Sequence, residues 1–242
     1  MPKGKLKYNV GSWAYARRGN RKKRMAKPRI SRNLVVYGMP RSQLVRMVYT
    51  EQVRIDPGAG GVPGSCVFRA NSVYDPYRSL NGVLQTGHQP LFHDQYSAIY
   101  DHYKVVGSKI SILSANDYSD QNNVMGNLLT CVVNNDPSAY SSYTEATEAK
   151  GVKYVQVHER RTSKLKNTYS AKNFHNKVDV KDNEDLQGIL GNTGVGSNPS
   201  SEAYYVIQAF PLYAGSNTYP ICANVRIEYL TLVYDMKKIQ GS

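Results

Sequence analysis

Leu44-Val45-Arg46-Met47-Val48-Tyr49-Thr50-Glu51-Gln52-Val53-Arg54-Ile55 is the stretch that decides the fold class. Val45, Met47, Tyr49, Val53 and Ile55 share one parity, while Arg46, Thr50, Gln52 and Arg54 take the other. Side chains of a strand point alternately to its two faces, so this period of two sets one row on a core and the other in water. Asp56-Pro57-Gly58 ends the run, and a loop rich in glycine and proline leads to Gly64.

The same signature recurs downstream. Residues 66–73 read as a second strand, closed by Asp75-Pro76. In residues 104–113, Ile110 and Ile112 alternate with Lys109 and Ser111. Residues 128–133 form a continuous apolar run of strand length, which predicts burial on both faces. Strands are also expected at 152–158, 169–174, 204–213 and 224–234; in the last, Val225, Ile227 and Tyr229 alternate with Arg226 and Glu228. Tyr96, Ile99, Tyr100 and Tyr103 fall at i, i+3, i+4, i+7 and predict an amphipathic helix with Asp94 as N-cap. Ser142-Tyr143-Thr144-Glu145 has capping-box spacing, and Gly151 can end that short helix. Arg160, Arg161, Lys164 and Lys166 read as a basic loop, and residues 188–201 as a long Gly/Asn/Ser loop. There is no βαβ rhythm and no internal repeat. The expected fold is all-β: an eight-stranded jelly roll, a two-sheet antiparallel sandwich with short helices in its loops.

Charge divides the chain. The formal net charge is +13. The first fifty residues hold 14 Lys or Arg and no Asp or Glu, so residues 51–242 sum to 17 − 18 = −1. A near-neutral body with a cationic segment points to a polyanionic partner, nucleic acid before membrane surface. Residues 1–41 have few apolar side chains to offset the entropy of ordering and are expected to form a disordered arm, with residues 42–242 as the folded domain.

The arm carries Lys3, Lys5, Lys7, Arg17, Arg18, Arg21, Lys22, Lys23, Arg24, Lys27, Arg29 and Arg32, the candidate nucleic-acid contacts. Cations on a flexible segment neutralise phosphates by counterion release, with little base preference. Trp13, with Tyr8 and Tyr15, either stacks on unpaired bases or packs on a wall or neighbour of the same protein. Arg17, Arg18, Arg21, Lys22, Lys23 and Arg24 also read as a nuclear import signal, which implies a host import receptor. The cations do not alternate with an apolar helical face, so no membrane partner is expected.

Tyrosine is over-represented, with 20 Tyr against 4 Phe and 1 Trp. This fits a β-rich chain, and equally a chain whose surface is half-covered by neighbours. Cys66, Cys131 and Cys222 are scattered, without C-x-x-C, and are expected to be reduced and buried. The basic N-terminus lacks the apolar stretch of a secretory signal, and no apolar run approaches membrane-spanning length.

Catalytic signals are weak. Gly58-Ala59-Gly60-Gly61 meets Pro63 where a phosphate-binding glycine would stand, and Gly194-Val195-Gly196 meets Pro199. His88, His93 and Asp94 lack the spacing of a metal site, and the two histidines are expected to bond loop backbone instead. No catalytic residue, metal or cofactor is expected.

Residues Thr86-Gly87-His88-Gln89-Pro90-Leu91-Phe92-His93-Asp94-Gln95-Tyr96, continued by Tyr100-Asp101-His102-Tyr103-Lys104-Val105-Val106-Gly107-Ser108-Lys109-Ile110, resemble the capsid proteins of circoviruses and related Rep-encoding circular single-stranded DNA viruses. Asn224-Val225-Arg226-Ile227-Glu228-Tyr229 is similar to the last strand of that family. The resemblance implies a jelly roll, a T=1 icosahedral shell of ~60 identical subunits, and packaging of a single-stranded DNA genome. It further implies delivery to the host nucleus, a place in the virion, and attachment to a host cell-surface receptor through outward loops. It implies no catalytic residues. The arm is shorter and less arginine-dense than is typical of that family. The ~14 charges of the first fifty residues on ~60 subunits give ~840 cations, under half the phosphates of a ~2,000-nucleotide genome. The basic loop at 160–166 is expected either to supply part of the remainder or to be a solvated outer loop. The alternative function is a non-assembling β-barrel protein that binds single-stranded nucleic acid.

Overall fold

The computed structural model describes residues 39–58, 62–117, 126–157, 161–176, 182–191, 195–212 and 219–237. Two antiparallel sheets face each other. The first runs β1 (Ser42–Ile55), β11 (Ile221–Met236), β5 (Tyr100–Asn116), β8 (Ser163–Ser170), with β9 (Gln187–Ile189) also paired to β5. The second runs β4 (Val83–Leu84), β3 (Tyr77–Leu80), β2 (Gly64–Arg69), β10 (Tyr204–Pro211), β6 (Asn127–Asn134), β7 (Lys153–Val157).

Setting aside the short β3, β4 and β9, the strands pair by nesting. β1 pairs with β11, β2 with β10, β5 with β8, and β6 with β7. First meets last, second meets seventh, third meets sixth, and fourth meets fifth, alternately in the two sheets. One long antiparallel ribbon rolled across a sandwich gives this order, and that is a jelly roll. The expected fold class holds.

The core follows from the alternation. β1 buries Val45, Met47, Tyr49, Val53 and Ile55, and β11 buries Val225, Ile227 and Tyr229 against Phe68, Tyr205 and Ile207 of the other sheet. Tyrosine hydroxyls tie the layers. Tyr229 on β11 donates to the Arg69 carbonyl on β2 at 2.8 Å. Tyr205 on β10 bonds Ser108 on β5 at 2.9 Å, and Ser108 in turn donates to the Ala70 carbonyl. A buried tyrosine thus supplies area while its hydroxyl stays paired.

Three expectations need correction. The helix expected around Tyr96–Tyr103 is only α1 (His93–Ser97), with Phe92 as N-cap and Asp94 in its first turn. Tyr100 and Tyr103 belong to β5, and both are buried in the core. Pairing with β11 and β9 supplies ladder hydrogen bonds that a single isolated turn cannot match. A bulge between Leu230 and Thr231 of β11 leaves Val106 unpaired and resets the β5 alternation.

The strand expected at 169–174 is β8, eight residues from Ser163, and residues 171–174 instead form α3 (Ala171–Phe174). Lys164 and Lys166 therefore lie on a strand, not in a loop. The alternation was hidden because Asn167 takes a core position, donating from Nδ2 to the carbonyls of Cys131 at 2.9 Å and Gly151 at 3.2 Å. Cys66 and Cys131 are buried as expected, whereas Cys222 is exposed on the outward side of β11. The second short helix, α2 (Tyr143–Glu148), forms as expected, with the Ser142 hydroxyl accepting from the Glu145 amide at 3.3 Å.

Candidate nucleic-acid interface

Lys3, Lys5, Lys7, Trp13, Arg17, Arg18, Arg21, Lys22, Lys23, Arg24, Lys27, Arg29 and Arg32 all lie outside the described residues, as does Arg160. The described part of the chain nevertheless carries a basic surface of its own, on the outward side of the first sheet.

That side is fixed by register. Thr50 on β1 lies opposite Arg226 on β11, Arg226 opposite Ser111 on β5, and Ser111 opposite Lys166 on β8. One row over, Val48, Glu228, Lys109 and Thr168 line up. On the other flank stand Gln52, Asn224, Leu113 and Lys164. Lys109, Lys164, Lys166 and Arg226 are exposed, because the intervening residues Ile110, Leu165 and Ile227 take the core side.

The arginines on this face are already engaged. Glu228 pairs with Arg46 at 3.5 Å and with Arg226 at 3.3 Å. Arg54 is held by Asp117 at 2.9 Å and Asp56 at 3.2 Å, and the Asp117 hydrogen bond raises the guanidinium above its usual range. Among the described residues, no carboxylate lies within ion-pair distance of Lys109, Lys164 or Lys166.

The second sheet differs. Val67, Tyr204 and Val206 form a separate buried cluster on its side away from the main core. Tyr143 of α2 packs edge-on against Phe210 of β10, and the Tyr140 backbone exchanges hydrogen bonds with the Gln208 side chain. Chain from the 135–151 segment thus covers part of this face. Beside it, Arg69 is buried and pairs with Asp75 at 2.7 Å and Glu202 at 2.8 Å, while burial pushes the Asp75 carboxyl above its usual range. These charges are consumed internally.

Among the described residues a hydroxyl–imidazole pair forms, with the Ser201 hydroxyl 3.4 Å from His175 Nδ1 and the Tyr169 hydroxyl 3.1 Å from His175 Nε2. A cleft of about 720 Å³ opens between β6, β8 and α3, and its polar lining includes Asn134, Tyr140, Lys150, Lys153 and His175. No carboxylate or cysteine appears among its described lining residues. His88 contacts the carbonyls of Gln89 and Thr50, each at 2.8 Å, as the backbone reading expected. His93 is buried instead beside its neighbour Asp94, at 3.4 Å, and burial lowers its pKa. Sequence reasoning named Lys164 and Lys166 but placed them in a loop. Lys109 and Arg226 were visible as the polar half of an alternation, and only strand pairing brings them together.

No protein-family model and no curated protein matches the chain. Solved structures do. A semi-empty virus-like particle of the Macrobrachium rosenbergii nodavirus is 10% identical with a TM-score of 0.42, covering 85% of this chain and 100% of that one. The BFDV capsid protein in its 60-mer form is 9% identical with a TM-score of 0.44, covering 85% and 100%. Cucumber necrosis virus is 12% identical with a TM-score of 0.42, covering 84% and 60%. The jelly-roll assignment rests on the nested strand order itself.

Proposed function

We propose that the chain is a capsid subunit that assembles with identical copies into a small T=1 shell and packages single-stranded DNA through residues 1–41. The observation that carries this reading is segregation of charge from fold. Residues 42–242 hold 31 − 13 = 18 basic and 18 acidic residues and sum to zero, while the whole surplus of +13 sits in residues 1–41. A neutral jelly roll is suited to meeting copies of itself, and the cationic segment to a polyanion. The segment from Thr86 to Ile110, with its resemblance to circovirus-type capsid proteins, supports the same reading. The proposal includes nuclear import through Arg17–Arg18 and Arg21–Arg24, residence in the virion, and attachment to a host receptor.

Negative-stain microscopy and light scattering of the purified full chain test it. Uniform closed particles whose absorbance shows nuclease-protected nucleic acid are expected. A strictly monomeric chain across salt and pH overturns it. The second reading, a non-assembling single-strand-binding protein, is favoured only by the basic sheet face, and it predicts that monomer.

A further inference from the structure

We propose that the outward face of the β1-β11-β5-β8 sheet, centred on Lys109, Lys164 and Lys166, is a second binding surface for the phosphate backbone of single-stranded nucleic acid. This deepens the proposed function and rests on it, because it presumes that the chain takes up nucleic acid.

The register sets the geometry. Lys164 and Lys166 stand two residues apart on β8, roughly 7 Å along the strand. Lys109 lies on the neighbouring strand, diagonal to Lys166 across the Ser111 and Thr168 positions, at roughly 7–8 Å. The three lysines thus leave the sheet at backbone spacings of the same order as the gap between successive phosphates of an extended strand. Ser111, Thr168, Thr50 and Asn224 add neutral groups that bond phosphate oxygens, beside the apolar Val48 and Leu113.

Charge complementarity selects the occupant. No described carboxylate pairs with the three lysines, and Glu228, directly opposite Lys109, is shared between two arginines. A face built to pack against protein would need those ammonium groups paired or removed, because unpaired charge is costly to bury. The opposite face of the sandwich carries instead a buried cluster of Val67, Tyr204 and Val206. The central positions of the face carry no aromatic ring, so the surface tracks backbone and leaves base stacking elsewhere. It also addresses the shortfall between arm charge and genome charge.

The test uses the full chain and a thirty-nucleotide oligo(dT) probe. Binding is read by fluorescence anisotropy from low to high salt, beside the nucleic acid retained in purified particles. Each phosphate contact to a single strand contributes about 0.7 to the slope of log affinity against log salt. The triple substitution K109Q/K164Q/K166Q should flatten that slope by about 2 and lower packaged nucleic acid, with particle diameter unchanged. The Lys→Arg triple should restore both, and Glu228→Gln should tighten binding. Should the Gln triple lose its melting transition, the three single Gln variants carry the test, each flattening the slope by roughly 0.7. Slope and content equal to wild type overturn the inference while leaving the proposed function standing. Loss of heparin binding with oligo(dT) binding intact also overturns it, and assigns the face to a sulfated glycan. A wild-type chain that fails to bind oligo(dT) at all overturns the proposed function, and this surface with it.

Discussion

Tyr229 has no exposed surface, and its hydroxyl donates across the sandwich to the Arg69 carbonyl. Tyr49, Tyr103 and Tyr205 are equally buried, with hydroxyls paired to Glu51, Ser72 and Ser108. Burial is the first cause pushing all four phenols well above their ordinary value of 10.0, and it pushes the more open Tyr204 up to about 12. The sign follows from linkage. The folded state keeps these protons more tightly than the unfolded state, so stability is whole below pH 10 and falls as pH rises through the folded values. Alkaline titration should therefore release the phenolate absorbance of these rings together with the loss of β-sheet ellipticity; phenolate appearing first, with the sheets intact, contradicts this. Gly188 makes a second case. A Cβ there would collide with the Tyr103 ring, which is itself fully buried. Gly188→Ala should cost about 1–3 kcal/mol in denaturant unfolding, and Gly82→Ala, with open space but a φ of +79°, should act only through backbone strain. The sequence displayed its 20 tyrosines plainly. It could not say which were core, because the same ring serves a core and a wet interface and only the partner's position distinguishes them.

β8 shows at the scale of elements what alternation reveals and what it conceals. β1 and β11 were legible because aliphatic and charged residues alternate almost without a break. β8 was half-hidden because one of its inward positions is Asn167 and its outward ones are lysines, so the segment resembled a solvated loop. α1 was over-extended for the converse reason: apolar residues on both sides of the α1–β5 boundary, Tyr96, Ile99, Tyr100 and Tyr103, fall at helical intervals. β9 and the β3–β4 hairpin are too short to leave a period at all. Asn167 tests the value of the concealed position. Its side chain ties β8 of the first sheet to the Cys131 carbonyl on β6 of the second and to Gly151 beyond α2. Asn167→Leu keeps the branched outline, adds bulk and removes both donations, so the chain should lose about 1–3 kcal/mol. A melting temperature equal to wild type would mean that water replaces both bonds. Ser142→Ala, which removes only the cap of the exposed α2, should cost about 1 kcal/mol.

For the whole molecule, charge and topology have to be read together. Nested pairing was not written in any one segment, since alternation identifies a strand and not its partner. The sequence did show where the charge lies, and that has a consequence for assembly. A subunit at +13 repels its copies, and a shell would crowd that charge into one enclosed volume. A polyanion or added salt must screen it before contacts between neutral bodies can prevail, since screening shortens to about 10 Å only near 0.1 M salt. Deleting residues 1–41 brings the formal charge to zero and removes the repulsion. Under the proposed function, the shortened chain should form particles at low salt without nucleic acid, with little dependence on salt. The nuclease-treated full chain should need either high salt or added oligonucleotide to do so. Light scattering against salt concentration, with both proteins stripped of nucleic acid, reads the difference directly. Equal salt thresholds would mean that the cationic segment does not oppose closure. A shortened chain that stays monomeric at every salt concentration would mean that residues 1–41 supply contacts between subunits as well as charge.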